Sequence, residues 1–294
     1  MSKQKEYESM GTHWKVEIWD EISEIEFEKL MAEIIEMSND FDNKYSRFKL
    51  DSFVHEISQK IGVVEVGEGY EDFIKMLEIY FKINKITLGK INPLIGNTIS
   101  DFGYDENYSL EKKDIIRMVP KLEESVKILS NNKLEVKGAL LFDFGAIGKG
   151  YFVDKISDFL KQKSVKNFLV DGSGDIYYFG ESYKCGLENP FNFSEVIGVY
   201  DLKNASLCSS STNRRSWGKG DETLNHYIDP DKLKSVEDIV ATFVVADSAR
   251  IADAMTSALF FVQPEVLLKE YKFEYLVINK NKQMKTNFSP GVLF

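Results

Sequence analysis

The sequence predicts an α+β protein, and three observations support this prediction. Residues 12–19 alternate apolar and polar side chains, which is typical of a half-buried strand. Residues 25–41 and 72–85 repeat apolar side chains at helical spacing, which indicates two amphipathic helices. Residues 139–170 read as a short apolar strand from Ala139 to Phe144, a glycine-rich turn, a helix of about four turns and a second strand. The chain therefore combines both kinds of secondary structure along its length.

Length and charge limit the domain organisation and the class of partner. The chain has 294 residues, of which 43% are hydrophobic and 13% aromatic, enough for one large domain or two closely packed ones. A disordered tail is expected at residues 1–9 and a single domain at residues 10–294. The net charge of −10 argues against nucleic acid or an anionic membrane surface as the main partner. An anionic ligand would therefore need a local cationic site or a metal ion.

Cysteine usage and hydropathy bear on the compartment. The two cysteines, Cys185 and Cys208, form no CxxC motif and are expected to be reduced or buried thiols. No apolar run reaches transmembrane length, and residues 1–9 contain no signal-like apolar core. If this N-terminus is the native one, a cytoplasmic location is expected.

The stretch from Asp143 to Asp175 is the first candidate site. Gly145, Gly148 and Gly150 punctuate the turn before the predicted helix, and Lys149 lies inside it. Backbone N–H groups at a helix start, close approach over glycine and a lysine charge together suit a diphosphate. No complete dinucleotide or P-loop motif is present. A tight strand-to-helix turn with a solvated lysine therefore stays an equal alternative on the residues alone.

A late helix supplies the second candidate. Asp253, Thr256 and Ser257 stand at i, i+3 and i+4, so they share one helix face. A carboxylate and hydroxyls, together with backbone carbonyls, form an oxygen set suited to Mg²⁺ or Ca²⁺. The alternative is ordinary helix packing, in which small residues allow close approach and Asp253 is solvated.

His226 is the third candidate, because it alone of the three histidines lies within a distinctive motif, NHYIDP. A histidine with an ordinary pKa near 6.5 can take a proton from a hydroxyl near neutral pH. A structural hydrogen-bonding role is the alternative.

These segments, in order, resemble the ApbE family of flavin transferases over residues 10–261. DFGAIGKGYFVD is similar to the family's DLxxIAKGYAVD, and YSRFKLDS is similar to its SxFxxDSE. MGT, NHYIDP and VVADSARIADAMTSALFF likewise match MGT, HIIDP and VxAxxxxxADALATALFV. The chain departs from the family at Asn92, at Ser173, at residues 211–213 and at Ser257, where the family mostly has threonine.

The resemblance implies a fold and a reaction. The fold would be the T-fold-like one of these transferases, with two intimately packed α/β subdomains and FAD in the cleft. The reaction would be FAD:protein FMN transfer, a Mg²⁺-dependent transfer of FMN from FAD to a Thr or Ser hydroxyl of a target protein. A phosphoester would form and AMP would be released.

The resemblance also assigns site residues. Catalytic roles fall to His226 as base, Asp253 and Lys149. Metal ligands would be Asp253, Ser257 and the carbonyls of Ala146 and Thr256. Residues expected to contact FAD are Met10, Gly11, Thr12, Ser46, Arg47, Phe48, Asp101, Gly103, Asp143, Lys149, Gly150, Gly174, Asp175, Asn189, Arg215, His226, Ile228 and Asp229. Phe48 would pack on the flavin ring, and Arg215 would bind a phosphate or ribose oxygen.

Two other functions stay open at this point. An FAD pyrophosphatase would use water in place of the protein hydroxyl, and a flavin carrier would bind FAD without turnover. The expected partners are FAD and an acceptor protein with a flavinylation-type Ser/Thr motif, with no nucleic acid and no transmembrane segment. Because ApbE relatives are often exported, a cell-envelope lipoprotein that has lost its signal is the alternative location.

Overall fold

The computed structural model describes residues 2–214, 216–218 and 223–294. The chain divides into two compact units. Unit 1 contains Met1–Asp40, Ile147–Asn213 and Glu237–Phe294, and unit 2 contains Phe41–Ala146 and Arg214–Val236. No helix of the described residues has the length and apolar character that a bilayer crossing requires.

Helices and strands alternate irregularly along the chain. The helices are α1 (Glu24–Tyr45), α2 (Phe53–Ser58), α3 (Glu71–Ile86), α4 (Gly96–Asp101), α5 (Leu122–Ser125), α6 (Gly148–Gln162), α7 (Ala249–Ala258) and α8 (Pro264–Leu267), with a 3₁₀ turn at Pro93–Ile95. The strands are β1 (Lys3–Ser9), β2 (Thr12–Ile18), β3 (Gly62–Glu65), β4 (Val126–Ser130), β5 (Lys133–Val136), β6 (Phe168–Asp171), β7 (Asp175–Phe179), β8 (Tyr183–Asn189), β9 (Asn192–Leu202), β10 (Ala205–Ser211), β11 (Ser216–Trp217), β12 (Leu224–Asn225), β13 (Ile228–Asp229), β14 (Lys234–Ser235), β15 (Ile239–Ala246), β16 (Glu274–Asn279) and β17 (Met284–Thr286). The predicted strand at 12–19 and the predicted helices at 25–41 and 72–85 are confirmed as β2, α1 and α3.

Unit 1 is built on an eight-stranded antiparallel sheet in the order β1-β2-β6-β7-β10-β15-β16-β17. Helices α6 and α7 pack against each other and on β7 and β10. The hairpin β8–β9 contributes Leu187 and Leu202 to a core that also contains Leu207 and Phe243. Because strand side chains alternate between faces, one face of β7, β10 and β15 is left to meet α6 and α7.

The expectation of a disordered tail at residues 1–9 is wrong for residues 3–9, which form β1. This strand pairs with β2 from Lys3↔Ile18 to Ser9↔Thr12. The Tyr7 ring stacks near the Trp14 ring, and its hydroxyl is 3.0 Å from Ser38 Oγ on α1. The segment is polar because it is an edge strand, and charged residues on such an edge discourage further strand pairing.

Two hairpin turns lie at one end of this sheet. Met10 and Gly11 both have positive φ, at 52° and 66°, as a two-residue turn between β1 and β2 requires. Ser173 and Gly174, at 63° and 95°, turn the chain between β6 and β7. Because Lys15 of β2 pairs with Asp171 of β6, the two turns are near neighbours.

Unit 2 has a small sheet, β3-β5-β4, with an aromatic core beside it. Phe73 packs edge-on against Phe53, Phe142 and Phe144 at ring distances of 5.2 to 5.3 Å. The hairpins β11–β12 and β13–β14 complete the unit.

The predicted strand from Ala139 to Phe144 is wrong, although Leu140, Phe142 and Phe144 are buried in alternation as they would be in a strand. Its backbone bonds go to a helix end and a turn: Leu140 N–H donates to Ser58 O at 3.2 Å, and Asp143 N–H donates to Pro93 O at 2.7 Å. Alternating burial therefore arises here in a segment that is not paired as a strand. Sequence periodicity alone does not distinguish such a segment from a true strand.

Candidate functional site

Three ionisable side chains of unit 1 come together where α6 begins. Asp175, the first residue of β7, is fully buried, and its carboxylate is paired with the ammonium of Lys149 on α6. Cys208 of β10 stands opposite Asp175 in the sheet register and faces α7, where its thiol is 3.6 Å from Ala249 O. The side of the sheet that meets the helices therefore carries a buried carboxylate that is paired with a partly exposed ammonium.

Helix α7 adds a second buried carboxylate. Asp253 Oδ2 accepts the backbone N–H of Gly150 at 2.9 Å, and the residue is 2% exposed. Burial, and then the nearby Asp175 carboxylate, raise the pKa of Asp253 to about 7. Although burial favours the neutral amine, Asp175 and Asp253 together raise the pKa of Lys149 above its usual value. Lys149 is therefore a partly exposed cation that pairs with Asp175 and is also stabilised by the charge of Asp253.

This cluster fits a divalent cation. When Asp175 and Asp253 are both ionised, one nearby ammonium leaves a net negative charge, and buried charge is stable only when paired. Asp175 Oδ1 has no hydrogen-bond partner among the residues that the structure describes. No group of three or more acidic, histidine or cysteine side chains is preformed for a metal within those residues, so hydroxyls or carbonyls would complete the shell. An oxygen set of this kind suits Mg²⁺ or Ca²⁺.

Thr256 is less available as a ligand than the sequence predicts. Its hydroxyl donates to Asp253 O at 2.7 Å and lies 2.9 Å from Ser210 Oγ. Its carbonyl accepts the Thr242 hydroxyl at 3.0 Å, which leaves one lone pair. Ser257 is buried beside it on α7. The structure therefore brings Asp253, Thr256 and Ser257 to one buried helix face, as the spacing predicts, and excludes the alternative of a solvated Asp253.

Gly150, Lys149 and Ala146, in or beside the glycine-rich turn, each make a different contact. Gly150 is required by close packing, since a Cβ there would lie 2.3 Å from Ala249 O. Ile147, the residue before α6, makes no capping hydrogen bond, and the Asp253 carboxylate accepts the first-turn N–H of Gly150. Lys149 is committed to Asp175, so its charge is shared with a carboxylate and is not the solvated charge of the alternative interpretation. Ala146 belongs to unit 2, where its N–H donates to the Tyr80 hydroxyl at 3.3 Å.

Other predicted contact residues of unit 1 lie at the same end of the sheet. Met10, Gly11 and Thr12 form the β1–β2 turn, and Gly174 lies in the β6–β7 turn, where its carbonyl accepts the Ser209 N–H at 3.0 Å. Asn189 ends β8, and its side-chain amide donates to Glu195 Oε2 on β9 at 3.1 Å. Arg215 lies outside the described residues.

In unit 2, Arg47 is a buried structural residue. Its guanidinium pairs with the Asp143 carboxylate and donates to Ser100 Oγ at 3.2 Å and to Tyr104 O at 2.8 Å. Two residues expected to contact FAD, Arg47 and Asp143, thus contact each other. Ser46 Oγ accepts the Phe48 N–H at 3.3 Å and shapes the same segment.

The Phe48 ring, expected to pack on a flavin, is already in an aromatic cluster. Tyr108 lies parallel to it at a ring distance of 5.1 Å, and Tyr104 meets it edge-on at 5.5 Å. The Arg47 guanidinium lies 4.1 Å from its centroid. Tyr108 is half-exposed and has a left-handed backbone, with φ of 49°. One face of Phe48 is therefore covered by a surface residue.

Asp101 holds a loop instead of presenting a free carboxylate. Its oxygens accept from Arg117 Nε and Nη2, both at 2.7 Å, and from Lys113 Nζ at 3.1 Å. Burial alone would raise the pKa of Asp101, but these donors lower it to about 2. Gly103, with φ of 97°, lies against the same loop, because a Cβ there would be 2.5 Å from Glu111 N.

This pairing gives a stability prediction. Asp101→Asn should lower the free energy of unfolding at pH 7 by about 1 to 2 kcal/mol. Because the folded pKa lies below the ordinary value of 3.8, the stabilisation is present above that pH and is lost as the pH falls toward 2. Urea unfolding of both proteins at pH 7 and pH 3 measures this. Asp114→Asn, an exposed site in the same loop, is the control. An equal difference at both pH values would contradict the prediction.

His226 lies on a short segment that its neighbour fixes. The Asn225 amide donates to Val236 O at 2.8 Å and accepts the Tyr227 N–H at 2.9 Å, so the backbone on both sides of His226 is held. The His226 ring is 4.1 Å from the Tyr227 ring. Ile228 is buried in an apolar cluster, and Asp229 pairs with Lys90 at 2.7 Å.

Three residues that line the buried carboxylates from the sheet were not predicted from the sequence. Cys208, Ser210 and Thr242 contact α7 or the charge pair from β10 and β15. Cys208 and Ser210 show period-2 spacing in an apolar and serine-rich strand, which was a usable signal. That these side chains lie close to Asp253 could be predicted only with knowledge of the sheet register.

Comparisons with known proteins agree with this architecture. The model of the ApbE family matches residues 10–276. A FAD:protein FMN transferase of Haemophilus influenzae is 26% identical over 303 residues, covering 96% of this chain and 88% of that protein.

Solved structures agree in fold. The ApbE protein from Thermotoga maritima superposes with a TM-score of 0.84 at 19% identity, covering 97% of both chains. The flavin transferase ApbE from Vibrio cholerae gives a TM-score of 0.79 at 18% identity, covering 99% of both chains.

Proposed function

This chain belongs to the ApbE family, and from that premise we propose that it is an FAD:protein FMN transferase. One observation carries the proposal: the buried carboxylates of Asp175 and Asp253 lie at the start of α6, where Asp175 pairs with the partly exposed Lys149, in an arrangement that fits a cation. The similar proteins named FAD:protein FMN transferase are in line with it. The enzyme would thus be a transferase with FAD as its substrate.

The proposed reaction transfers the FMN moiety of FAD through substitution at its phosphorus. A Ser or Thr hydroxyl oxygen of the acceptor protein forms a bond to the phosphorus on the riboflavin side of FAD. The bond from that phosphorus to the bridging oxygen breaks, and AMP leaves with that oxygen. The hydroxyl proton passes to His226, and FMN stays joined to the acceptor through a phosphoester.

The residues of unit 1 would serve the pyrophosphate. Asp253 and Ser257 would hold a divalent cation, with a carbonyl of Thr256 and the free oxygen of Asp175 as further candidates. Such an ion would neutralise phosphate charge and polarise the P–O bonds. Lys149 would hold Asp175 in place and offset the charge of the two carboxylates. The buried position of these groups strengthens their electrostatic effect on charge that develops in the reaction.

Transfer is tested directly by mass spectrometry. The protein is incubated with FAD, Mg²⁺ and a domain that carries a flavinylation-type Ser/Thr motif. An FMN-sized adduct is the expected result, and it should be lost when the acceptor hydroxyl residue is replaced by alanine. AMP with free FMN would instead identify an FAD pyrophosphatase, and unchanged FAD would identify a carrier.

His226→Ala should slow transfer more than it weakens FAD binding. A general base contributes typically 10²- to 10⁴-fold to a rate, so a fall in kcat of about 100-fold or more is expected. The dissociation constant of FAD, measured by flavin fluorescence, should change much less. His13→Ala, an exposed histidine in β2, is the matched control. Equal losses of rate and of affinity would point to a structural role.

Tyr108→Ala should speed FAD association, because it uncovers the Phe48 ring expected to pack on the flavin. An aromatic pair contributes about 0.5 to 1.5 kcal/mol, so an increase of about 2- to 10-fold is expected. Stopped-flow flavin fluorescence measures the rate, with the exposed Phe191→Ala as control. Slower and weaker binding would show that Tyr108 itself holds the flavin.

A further inference from the structure

The start of α7 is capped by a residue of another helix. Ser248 precedes α7, but its side chain makes no capping hydrogen bond. Asp154 of α6 takes that place, accepting the N–H of Ala249 at 2.8 Å and the N–H of Arg250 at 3.1 Å. It also pairs with the Arg250 guanidinium. A carboxylate at a helix N-terminus satisfies unpaired donors and interacts favourably with the helix dipole.

A second contact joins the same two helices one turn away. Gly150 of α6 donates its N–H to Asp253 of α7. Residues 150 and 154 are four apart on α6, and residues 249 and 253 are four apart on α7, about 6 Å along each axis. A Cβ on Gly150 would lie 2.6 Å from Asp253 Cβ, so the helices are at close contact there. Two contacts one turn apart fix both the rotation and the axial position of α7 against α6.

The consequence concerns the Asp253 carboxylate. A shift of α7 by one residue would move it 1.5 Å along the axis and turn Asp253 by about 100° away from Gly150. Gly150 supplies only one hydrogen bond, whereas Asp154 supplies three and is 4% exposed. The contact of Asp154 with the start of α7 is therefore stronger than the contact of Gly150 with Asp253, although it lies farther from the candidate cation site.

We propose that Asp154 is a positioning residue: by capping α7 from α6, it sets the helix register that holds Asp253 at the start of α6. This inference rests on the proposed function only for the measurement of FMN transfer; the measurement of hydrogen exchange does not depend on it. Asp154 is not one of the residues that we propose to bind FAD, the acceptor or a metal ion. A neutral amide at this position loses the charge that faces Arg250 and the helix dipole, and it can satisfy fewer of the three donors.

The experiment compares Asp154→Asn with a variant of equal stability loss. Ile156→Val, fully buried on α6, removes one methyl group and is expected to cost about 0.5 to 1.5 kcal/mol, similar to loss of a helix cap. Hydrogen exchange followed by mass spectrometry reports on the peptide that contains Gly150. Its exchange should be faster in Asp154→Asn and unchanged in Ile156→Val.

Kinetics supply the second readout. In Asp154→Asn, kcat for FMN transfer should fall about 10- to 100-fold, as for residues that orient metal ligands, with little change in KM for FAD. Ile156→Val should keep wild-type kinetics below its melting temperature. Wild-type exchange at Gly150 in Asp154→Asn, or a kcat no lower than that of Ile156→Val, would overturn the proposal. If the wild-type protein transfers no FMN, the proposed function fails, while the exchange experiment still decides the role of Asp154.

Discussion

Replacing Asp253 with asparagine is expected to reduce FMN transfer by at least about 100-fold, because the variant loses the central anionic ligand of the predicted cation site. Asparagine keeps the shape of the side chain and can still accept the Gly150 N–H through its amide oxygen. The loss would therefore reflect charge and not packing. Transfer is measured by the mass-spectrometric assay at saturating FAD and Mg²⁺.

The same substitution should stabilise the metal-free fold. Asp253 and Asp175 are both buried close together, with the Lys149 ammonium and the Gly150 N–H as stabilising partners, so removing one negative charge relieves repulsion and desolvation. A gain on the order of 2 kcal/mol is expected in EDTA at pH 8. Added Mg²⁺ should raise the melting temperature of the wild-type protein and leave that of the variant unchanged.

Asp247→Asn is the matched control, since Asp247 is exposed just before α7. It should keep wild-type transfer and the wild-type response to Mg²⁺. Full Mg²⁺-dependent turnover in Asp253→Asn would exclude the assignment of Asp253 as the metal ligand.

Replacing Gly150 with alanine is expected to damage both stability and activity. The added Cβ would lie 2.3 Å from Ala249 O and 2.6 Å from Asp253 Cβ, and neither atom is the end of a flexible side chain. Helix α7 must therefore move away from α6. Overpacking of this kind costs about 3 kcal/mol, which corresponds to a fall in melting temperature of about 6 °C or more. Transfer should fall as Asp253 is displaced.

Gly67→Ala provides the comparison, because its Cβ would meet only Tyr70 Cδ2 at an ordinary 3.8 Å. Thermal unfolding and the transfer assay are run on both variants at a temperature where each is folded. Unchanged melting and unchanged transfer in Gly150→Ala would show that α6 and α7 can separate freely, which would also remove the basis for a positioning role of Asp154.

Local periodicity predicted several of the elements, and it failed at a segment that has the burial pattern of a strand but bonds to a helix end and a turn. The alternation in residues 12–19 and the helical spacing in residues 25–41 correspond to β2 and α1. Each of these elements buries one face, and this leaves a periodic pattern of apolar residues in the sequence. Residues 139–144 show alternating burial but bond to Ser58 and Pro93, so they form no strand. Residues 3–9 form β1 despite their polarity, since the pairing comes from β2.

The sequence predicts which residues form the candidate site better than it predicts which residues they contact. Spacing on one helix places Asp253, Thr256 and Ser257 on a common face, and the structure buries that face. The role of Lys149 was not predictable in the same way, because its partner Asp175 lies on a strand 26 residues away. Arg47 and Asp143 are a similar case, since 96 residues separate two side chains that pair directly.

The sequence by itself determined the α+β class, the motifs of the ApbE family in their order and the oxygen-rich face of α7. Each of these follows from residue types within a short window. Only the tertiary structure decided that Lys149 pairs with Asp175, that Gly150 contacts Asp253 and that Asp154 caps α7. The physical reason is that these contacts join residues 26 to 103 positions apart, and their geometry depends on strand register and helix packing, which no local pattern encodes.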